Sequence, residues 1–232
     1  MLSNIIEEMQ SKANPEKAKV YQRFFKTGKG EYGEGDIFIG LTVPEQRSLA
    51  KKYADLQFSE VKKLLSSKVH EYRLTGFLIL VYKFEKADEK EKKEIIDFYL
   101  KNIQYANNWD LIDCVADKIL GKYLIGKDKK ILYEFAESGN LWKKRIAIIS
   151  TFEFIKNNRF EDTLKISEIL LKDSHDLIHK SVGWMLREIG KRDIKKEEEF
   201  LRKNYKKMPR TMLRYAIERF DENKKFFYMK KD

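Results

Sequence analysis

The residues best suited to chemistry lie close together in segment 107–113, where Trp109 and Asp113 are four positions apart. Side chains at positions i and i+4 of a helix project from the same face, so an indole and a carboxylate would reach one bound object. The chain has three tryptophans and carries a formal net charge of +11. An aromatic ring and a carboxylate on so basic a protein indicate a polyanionic partner that contains a reactive centre.

Positive charge is concentrated in the second part of the chain. Residues 1–100 hold 18 Lys and Arg against 16 Asp and Glu, a net charge of +2, whereas residues 101–232 hold 30 against 21, a net charge of +9. This asymmetry is typical of proteins that bind a phosphate backbone or an acidic membrane surface. The alternative is that Lys and Glu residues only solvate helix faces.

Cysteine and histidine usage argues against metal and redox sites. Cys114 is the only cysteine, so the chain has no internal disulfide and no paired-cysteine motif. His70, His175 and His179 lack the spacing of zinc ligands, and we interpret them as helix-end or surface residues. We therefore expect neither a bound metal nor a cofactor.

The sequence predicts a soluble, cytoplasmic protein. Its first residues turn polar too soon for a signal peptide. No apolar run approaches the roughly 18 residues that cross a bilayer, so we expect no membrane association.

Helix signals recur along the whole chain. Pro15, Pro44 and Pro209 are the only prolines, and each is placed where a helix would start. Between them apolar residues recur at intervals of three and four, and no segment shows the sustained alternation of a strand. The sequence therefore predicts an all-α protein.

A repeat accompanies this helical pattern. Similar segments align on a small residue at positions 76, 147 and 183, with intervals of 71 and 36 residues. A period in the mid-thirties with two helices per unit is typical of an α–α superhelix, a HEAT-like repeat solenoid. We predict a single monomeric domain over residues 1–232 with a concave basic face, on which Trp109, Asp113, Arg145 and Trp184 converge.

Segment 28–35 contains the glycine spacing of a dinucleotide-binding loop, but the prediction for it is different. The preceding residues indicate a helix, not a strand, and Glu31, Glu34 and Asp36 would repel a pyrophosphate. We interpret the segment as a flexible loop between helices, one that closes over a bound partner.

Several segments together resemble the DNA alkylation repair family of HEAT-like-repeat, AlkD-like DNA glycosylases. The segments that carry the resemblance are residues 14–18, 40–47, 108–113, 140–147 and 180–188. The resemblance implies a double-stranded DNA partner and excision of purines that carry positive charge, N3-methyladenine and N7-methylguanine. By motif, the catalytic aspartate corresponds to Asp113, the two DNA-facing tryptophans to Trp109 and Trp184, and the phosphate-contacting arginine to Arg145.

The chemistry implied by this resemblance needs few groups. An alkylated cationic purine departs as a neutral base, so Asp113 would stabilise positive charge on the deoxyribose and orient a water molecule. Each of Trp109 and Trp184 would contribute a cation–π attraction of about 0.5–2 kcal/mol. Further basic side chains are expected to contact backbone phosphates: Lys143, Lys144, Lys180, Arg187, Arg210 and Arg214.

Two departures from the family keep alternatives open. Segment 28–35 is longer than the corresponding turn of the best-known members, and Phe24 stands where some active members have tyrosine. A protein that binds damaged DNA without excision therefore remains an alternative, as does a helical-repeat scaffold for other proteins. In those cases the tryptophans would be inter-helix core residues, and Asp113 would pair with Lys118 or Arg145.

Overall fold

A computed structural model of the chain describes residues 1–230 and contains helices and turns, with a single isolated bridge between Ile37 and Val69. The all-α prediction is confirmed. Within the described residues no helix combines the length and apolar character needed to cross a membrane. The chain divides into two compact units, one spanning Met1–Val115 and one beginning at Ala116. The single-domain assignment stays a prediction.

The first unit is built from seven α-helices and a 3-10 turn over Ile103–Tyr105. The helices are α1 (Leu2–Ser11), α2 (Pro15–Phe24), α3 (Val43–Lys52), α4 (Phe58–Leu65), α5 (His70–Lys86), α6 (Glu89–Asn102) and α7 (Trp109–Asp113). Helix α5 is buried on nearly all sides, as thirteen of its 17 residues are inaccessible. A helix that is buried all round belongs at the centre of its unit, and α3, α4 and α6 pack against it.

The second unit opens with a π-helical turn over Asp117–Gly121. Its α-helices are α8 (Lys130–Glu137), α9 (Leu141–Ser150), α10 (Phe152–Lys156), α11 (Glu161–Leu170), α12 (Asp176–Gly190), α13 (Ile194–Asn204), α14 (Arg210–Ala216) and α15 (Glu222–Met229). Helix α12 is the central element, because α9, α11, α13 and α14 all contact it. Two 3-10 turns, Tyr205–Lys207 and Ile217–Arg219, complete the unit.

The three prolines start helices as predicted. Pro15 is the first residue of α2, behind an Asn14 side chain that accepts a hydrogen bond from the Lys17 N–H. Pro44 is the second residue of α3, and Pro209 directly precedes α14. Proline suits these places because its fixed φ is helical and its missing N–H has no partner in the first turn.

Two of the small residues on which the repeat aligns lie where neighbouring helices approach closely. A Cβ atom added at Gly183 of α12 would lie 2.4 Å from the carbonyl oxygen of Met212 and 2.5 Å from Cβ of Tyr215, both in α14. At Gly76 of α5 the nearest atom is a side-chain carbon of Leu65, at 2.9 Å. The α12–α14 contact is the tighter of the two because a backbone oxygen is involved.

Gly183→Ala should therefore destabilise the protein by about 1–3 kcal/mol, the usual cost of overpacking a well-packed contact. The free energy of unfolding in urea measures this directly. Gly139→Ala is the matched control, since no atom lies within 4 Å of a Cβ there, and its effect should stay within about 0.5 kcal/mol. Equal stability of the two variants would contradict close packing of α12 on α14.

The loop after α2 is held by its own acidic side chains. Glu31 accepts a hydrogen bond from the Gly28 N–H and Glu34 accepts one from the Gly30 N–H, both at 2.8 Å. At Gly33 a Cβ atom would lie 2.6 Å from the carbonyl oxygen of Phe25. The segment is a loop between helices, as predicted, and these carboxylates close its turns. Its flexibility stays a prediction. Closure over a partner stays a prediction.

Candidate functional site

Helix α7 carries both residues singled out in the first unit, Trp109 at its start and Asp113 at its end. Asn108 caps this helix from the position before it, and its side-chain oxygen accepts a hydrogen bond from the Trp109 N–H at 2.9 Å. The amide nitrogen of the same side chain donates to the carbonyl oxygen of Phe25 at 3.1 Å. Asn108 is fully buried, so one side chain starts α7 and holds the turn after α2 against it.

An aromatic stack supports one side of Trp109. Its indole lies 5.2 Å from the Phe25 ring at an interplanar angle of 20°, and Phe25 stacks on Phe38 at 5.0 Å. Phe38 in turn stacks on the imidazole of His70 at 4.5 Å. Trp109 itself is half-buried. Because three rings lie beneath it, the indole is held in one orientation while part of it reaches solvent.

Phe24 forms an exposed edge beside Trp109. Its ring meets the indole edge-on, with centroids 5.8 Å apart, and the side chain is 60% exposed. An apolar ring this exposed, next to a half-buried indole, offers an aromatic surface for a flat or sugar-like group. The sequence departure at Phe24 therefore lies in contact with the predicted site.

A buried ion cluster lies below this stack. His70 places Nε2 at 2.8 Å from Asp110 and Nδ1 at 3.1 Å from Asp36. Arg73 donates to the same Asp36 oxygen at 2.5 Å and to the side-chain oxygen of Asn107 at 2.9 Å. His70, Asp36, Asp110 and Arg73 are each no more than 5% exposed. Two carboxylates thus face two cationic groups out of contact with water.

The negative charges in this cluster outweigh both burial and the nearby positive charge of Arg73 at His70. Burial opposes a charged imidazole, but the negative charge and hydrogen bond of Asp110, with the hydrogen bond of Asp36, raise the pKa of His70 to about 9. Burial also disfavours the Asp36 carboxylate, yet His70 and Arg73 hold the pKa of Asp36 below its usual range. His70 is accordingly an imidazolium at neutral pH, paired on both sides.

This cluster fixes the first turn of α7, because Asp110 is the second residue of that helix. The interpretation of His70 as a surface residue is wrong, although it does begin α5 as a helix-end residue. Its partners come from positions 36 and 110, and no local pattern connects them. The sequence feature that could have indicated this cluster is the group of polar residues His70, Glu71 and Arg73 at the start of an otherwise apolar helix.

In the second unit, Trp184 lies on the central helix α12. Its side chain is half-buried, its ring lies 5.8 Å from Phe152, and its Nε1 donates to Glu188 at 3.1 Å. Lys180 lies one turn before it and pairs with Asp176 at 2.7 Å. Trp184 is thus partly exposed, and its hydrogen bond to Glu188 of the same helix fixes the orientation of its ring. Such a side chain is suited to contact a bound partner.

Arg145 of α9 is more enclosed than a phosphate-contacting side chain usually is. It is 5% exposed, and its guanidinium donates to the carbonyl oxygen of Leu177 in α12 at 2.5 Å. The side chain therefore ties α9 to α12. A phosphate contact by Arg145 stays a prediction, and this structural role comes in addition to it.

The remaining predicted DNA-contacting side chains lie on α9, α12 and α14. Lys143 lies over the Phe135 ring at 5.6 Å, and Lys144 pairs with Asp173 at 2.6 Å. Arg187 pairs with Glu218, Arg210 donates to the carbonyl oxygen of Met229 at 2.5 Å, and Arg214 is exposed. Helix α12 packs against both α9 and α14, so the six side chains belong to one connected group of helices.

Trp142, the remaining tryptophan, is the second residue of α9 and half-buried. His175 precedes α12 and accepts a hydrogen bond from the Leu177 N–H through Nδ1. Across residues 1–230, no group of three or more His, Cys, Asp and Glu side chains is arranged to hold a metal ion.

Comparison with known proteins identifies relatives. A family model described as DNA alkylation repair enzyme matches residues 5–220. A solved structure described as a predicted DNA alkylation repair enzyme from Enterococcus faecalis superimposes with a TM-score of 0.70 at 16% sequence identity, covering 90% of this chain and 97% of that one. No curated protein matches the chain. The helical-repeat fold class predicted from the sequence is confirmed, and the concave basic face stays a prediction.

Proposed function

Because this chain belongs to the DNA alkylation repair enzyme family, we propose that it is a DNA glycosylase acting on cationic alkylated purines in duplex DNA. The proposed reaction is hydrolysis of the N-glycosidic bond of N3-methyladenine or N7-methylguanine, which leaves an abasic site. The observation that carries this proposal is the placement of Trp109 and Asp113 on one short helix, whose first turn is anchored by a buried ion cluster.

The proposed chemistry assigns one main task to Asp113. As the bond between base and sugar lengthens, positive charge grows on the deoxyribose, and the Asp113 carboxylate would stabilise it and orient the attacking water. The base is already cationic and departs neutral, so no proton donor is required. Preorganisation supports this role, because α7 cannot shift without disturbing Asp110 and its contact to His70.

Trp109 and Trp184 would bind the lesion nucleotide through their rings. A half-buried indole with exposed Phe24 beside it favours a positively charged nucleotide over a neutral one by cation–π attraction, worth about 0.5–2 kcal/mol per ring. Trp109 belongs to the first unit and Trp184 to the second, and their convergence on one face is part of the proposal.

The basic residues of the second unit would hold the DNA backbone. Lys143, Lys144, Lys180, Arg187, Arg210 and Arg214 lie on helices that contact one another, and residues 101–232 carry a net charge of +9. Several of these side chains pair with carboxylates in the free protein, as Lys144 does with Asp173. Binding would exchange such pairs for phosphate contacts, so affinity should fall steeply with salt.

Release of methylated purines from alkylated duplex DNA tests the proposed function. We expect the wild-type protein to release N3-methyladenine, N7-methylguanine or both, and to leave abasic sites without strand cleavage, because the family motif assigns the central role to a carboxylate and none to a lysine nucleophile. Liquid chromatography of the released bases and alkaline cleavage of the DNA measure the two products. Strand breaks without added alkali would contradict a simple hydrolytic mechanism.

A second function is favoured by two specific observations. Phe24 lacks the hydroxyl found in some active members, and Arg145 is buried and bound to the Leu177 carbonyl oxygen. A protein that recognises damaged DNA without excision would retain salt-sensitive binding but release no base. The excision assay therefore separates the two functions.

A further inference from the structure

Helix α15 presents two neighbouring aromatic rings to solvent. Phe226 is 72% exposed and Phe227 is 58% exposed. Among the phenylalanines that the structure describes, only Phe24 is similarly exposed, and it belongs to the site already discussed. The family model ends at residue 220, so α15 lies beyond the segment for which the comparison assigns a role.

These rings are held on a fixed support. Tyr228, the next residue, is 4% exposed and packs edge-on against Tyr205 and Phe220, at 5.4 and 5.8 Å. Arg210 donates to the carbonyl oxygen of Met229, at the last residue of α15. These contacts fix the orientation of α15, and in that orientation Phe226 and Phe227 face solvent.

The surroundings of the rings are strongly basic. Residues 201–230 contain ten Lys and Arg against three Asp and Glu, a net charge of +7 within the chain total of +11. Lys206 and Lys207 are exposed and directly follow Tyr205, whose ring lies 5.9 Å from that of Phe227. Lys230 is exposed three residues after Phe227, while Lys225 is partly neutralised by Glu222 at 2.9 Å. Exposed aromatic rings in a cationic setting match the way proteins bind unpaired nucleotides.

We propose that the face of α15 formed by Phe226 and Phe227 is a second DNA-binding surface, which stacks unpaired bases while neighbouring lysines contact their phosphates. The proposal rests on the proposed function only in taking DNA as the partner, and it does not require excision. A second copy of the chain is a poor occupant, because two identical faces of such high positive charge would repel each other.

The test compares single-stranded and duplex DNA binding by Phe226→Ala/Phe227→Ala. The probe is a fluorescein-labelled oligothymidylate about 12 nucleotides long, with an unmodified duplex of equal length beside it. We expect the double variant to lose at least about tenfold in affinity for the single strand, with duplex affinity and excision nearly unchanged. Phe226→Tyr/Phe227→Tyr keeps both rings and should bind like the wild type.

Ile194→Ala is the matched control, since Ile194 is an apolar side chain on another helix of the same unit with 43% exposure. Unchanged single-strand affinity in the double alanine variant would overturn the proposal. So would an equal loss for duplex and single strand, because it would show that the two rings do not select unpaired bases. Loss of self-association or of binding to anionic lipid vesicles, with DNA affinity retained, would assign the face to those partners. If the wild type released no base while the double alanine variant still lost single-strand affinity, the glycosylase proposal would be refuted and the proposal for α15 would stand.

Discussion

Asp113→Asn should slow the release of alkylated purines by about 10²–10³-fold, which corresponds to about 3–4 kcal/mol in the transition state. Asparagine keeps the shape of the side chain and removes its negative charge. The lost interaction exists mainly while positive charge develops on the sugar, so the chemical step should suffer and DNA binding should not. Single-turnover excision of N7-methylguanine, with duplex affinity measured in parallel, separates the two effects.

Asp97→Asn provides the control for this experiment. Asp97 is an exposed carboxylate on α6 that pairs with Lys93, so its replacement removes the same charge from the same unit without touching α7. We expect normal excision from it. If Asp113→Asn excised at a rate close to that of the wild type, the catalytic assignment of Asp113 would be wrong.

His70→Ala should cost about 3–5 kcal/mol of folding stability, the effect expected when one partner of a buried ion pair is removed. Asp36 and Asp110 would remain buried without the imidazolium that contacts both. The ring also stacks on Phe38 and lies tilted against Phe25, so its loss leaves a cavity in the aromatic stack beneath Trp109. Urea unfolding followed by far-ultraviolet circular dichroism measures the change.

The pH dependence of stability identifies the ionic part of this effect. The pKa of His70 is raised from 6.5 to about 9 in the folded protein. Its contribution is therefore fully present below pH 6.5 and declines as the pH rises through about 9. The wild type should lose stability over this alkaline interval, on the order of 3 kcal/mol.

His70→Gln keeps hydrogen-bonding capacity without the charge, and it covers the case in which the alanine variant fails to fold. Its stability should be lower than that of the wild type near neutral pH and should lack the same alkaline decline. A decline of equal size in His70→Gln would assign the alkaline effect to another group.

The fold was predictable because its signals are local. Pro15, Pro44 and Pro209 start helices, and the small residues at 76 and 183, on which the repeat aligns, lie where neighbouring helices approach closely. Each signal depends on neighbours within a few residues, since a helix repeats every 3.6 residues and its first turn accepts proline. Such patterns are readable without knowledge of distant contacts.

The candidate site was predictable only in part. The spacing of Trp109 and Asp113 correctly indicates a helix, and both lie at its two ends. The cluster beneath them joins positions 36, 70 and 110, and side-chain pairing over such separations leaves no periodic pattern. Burial of Arg145 was missed for a similar reason, because its acceptor at Leu177 is 32 residues away.

The two hydrogen bonds of the Asn108 side chain restrict which amino acids position 108 can accept during evolution. One amide side chain must accept a hydrogen bond at the start of α7 and donate another to the Phe25 carbonyl oxygen. Aspartate or serine would keep the contact to the Trp109 N–H. Aspartate, however, would place a carboxylate oxygen against the Phe25 carbonyl oxygen, and the shorter serine side chain would not reach that oxygen. Position 108 therefore tolerates few mutations, and lineages that retain this helix start are expected to retain asparagine there.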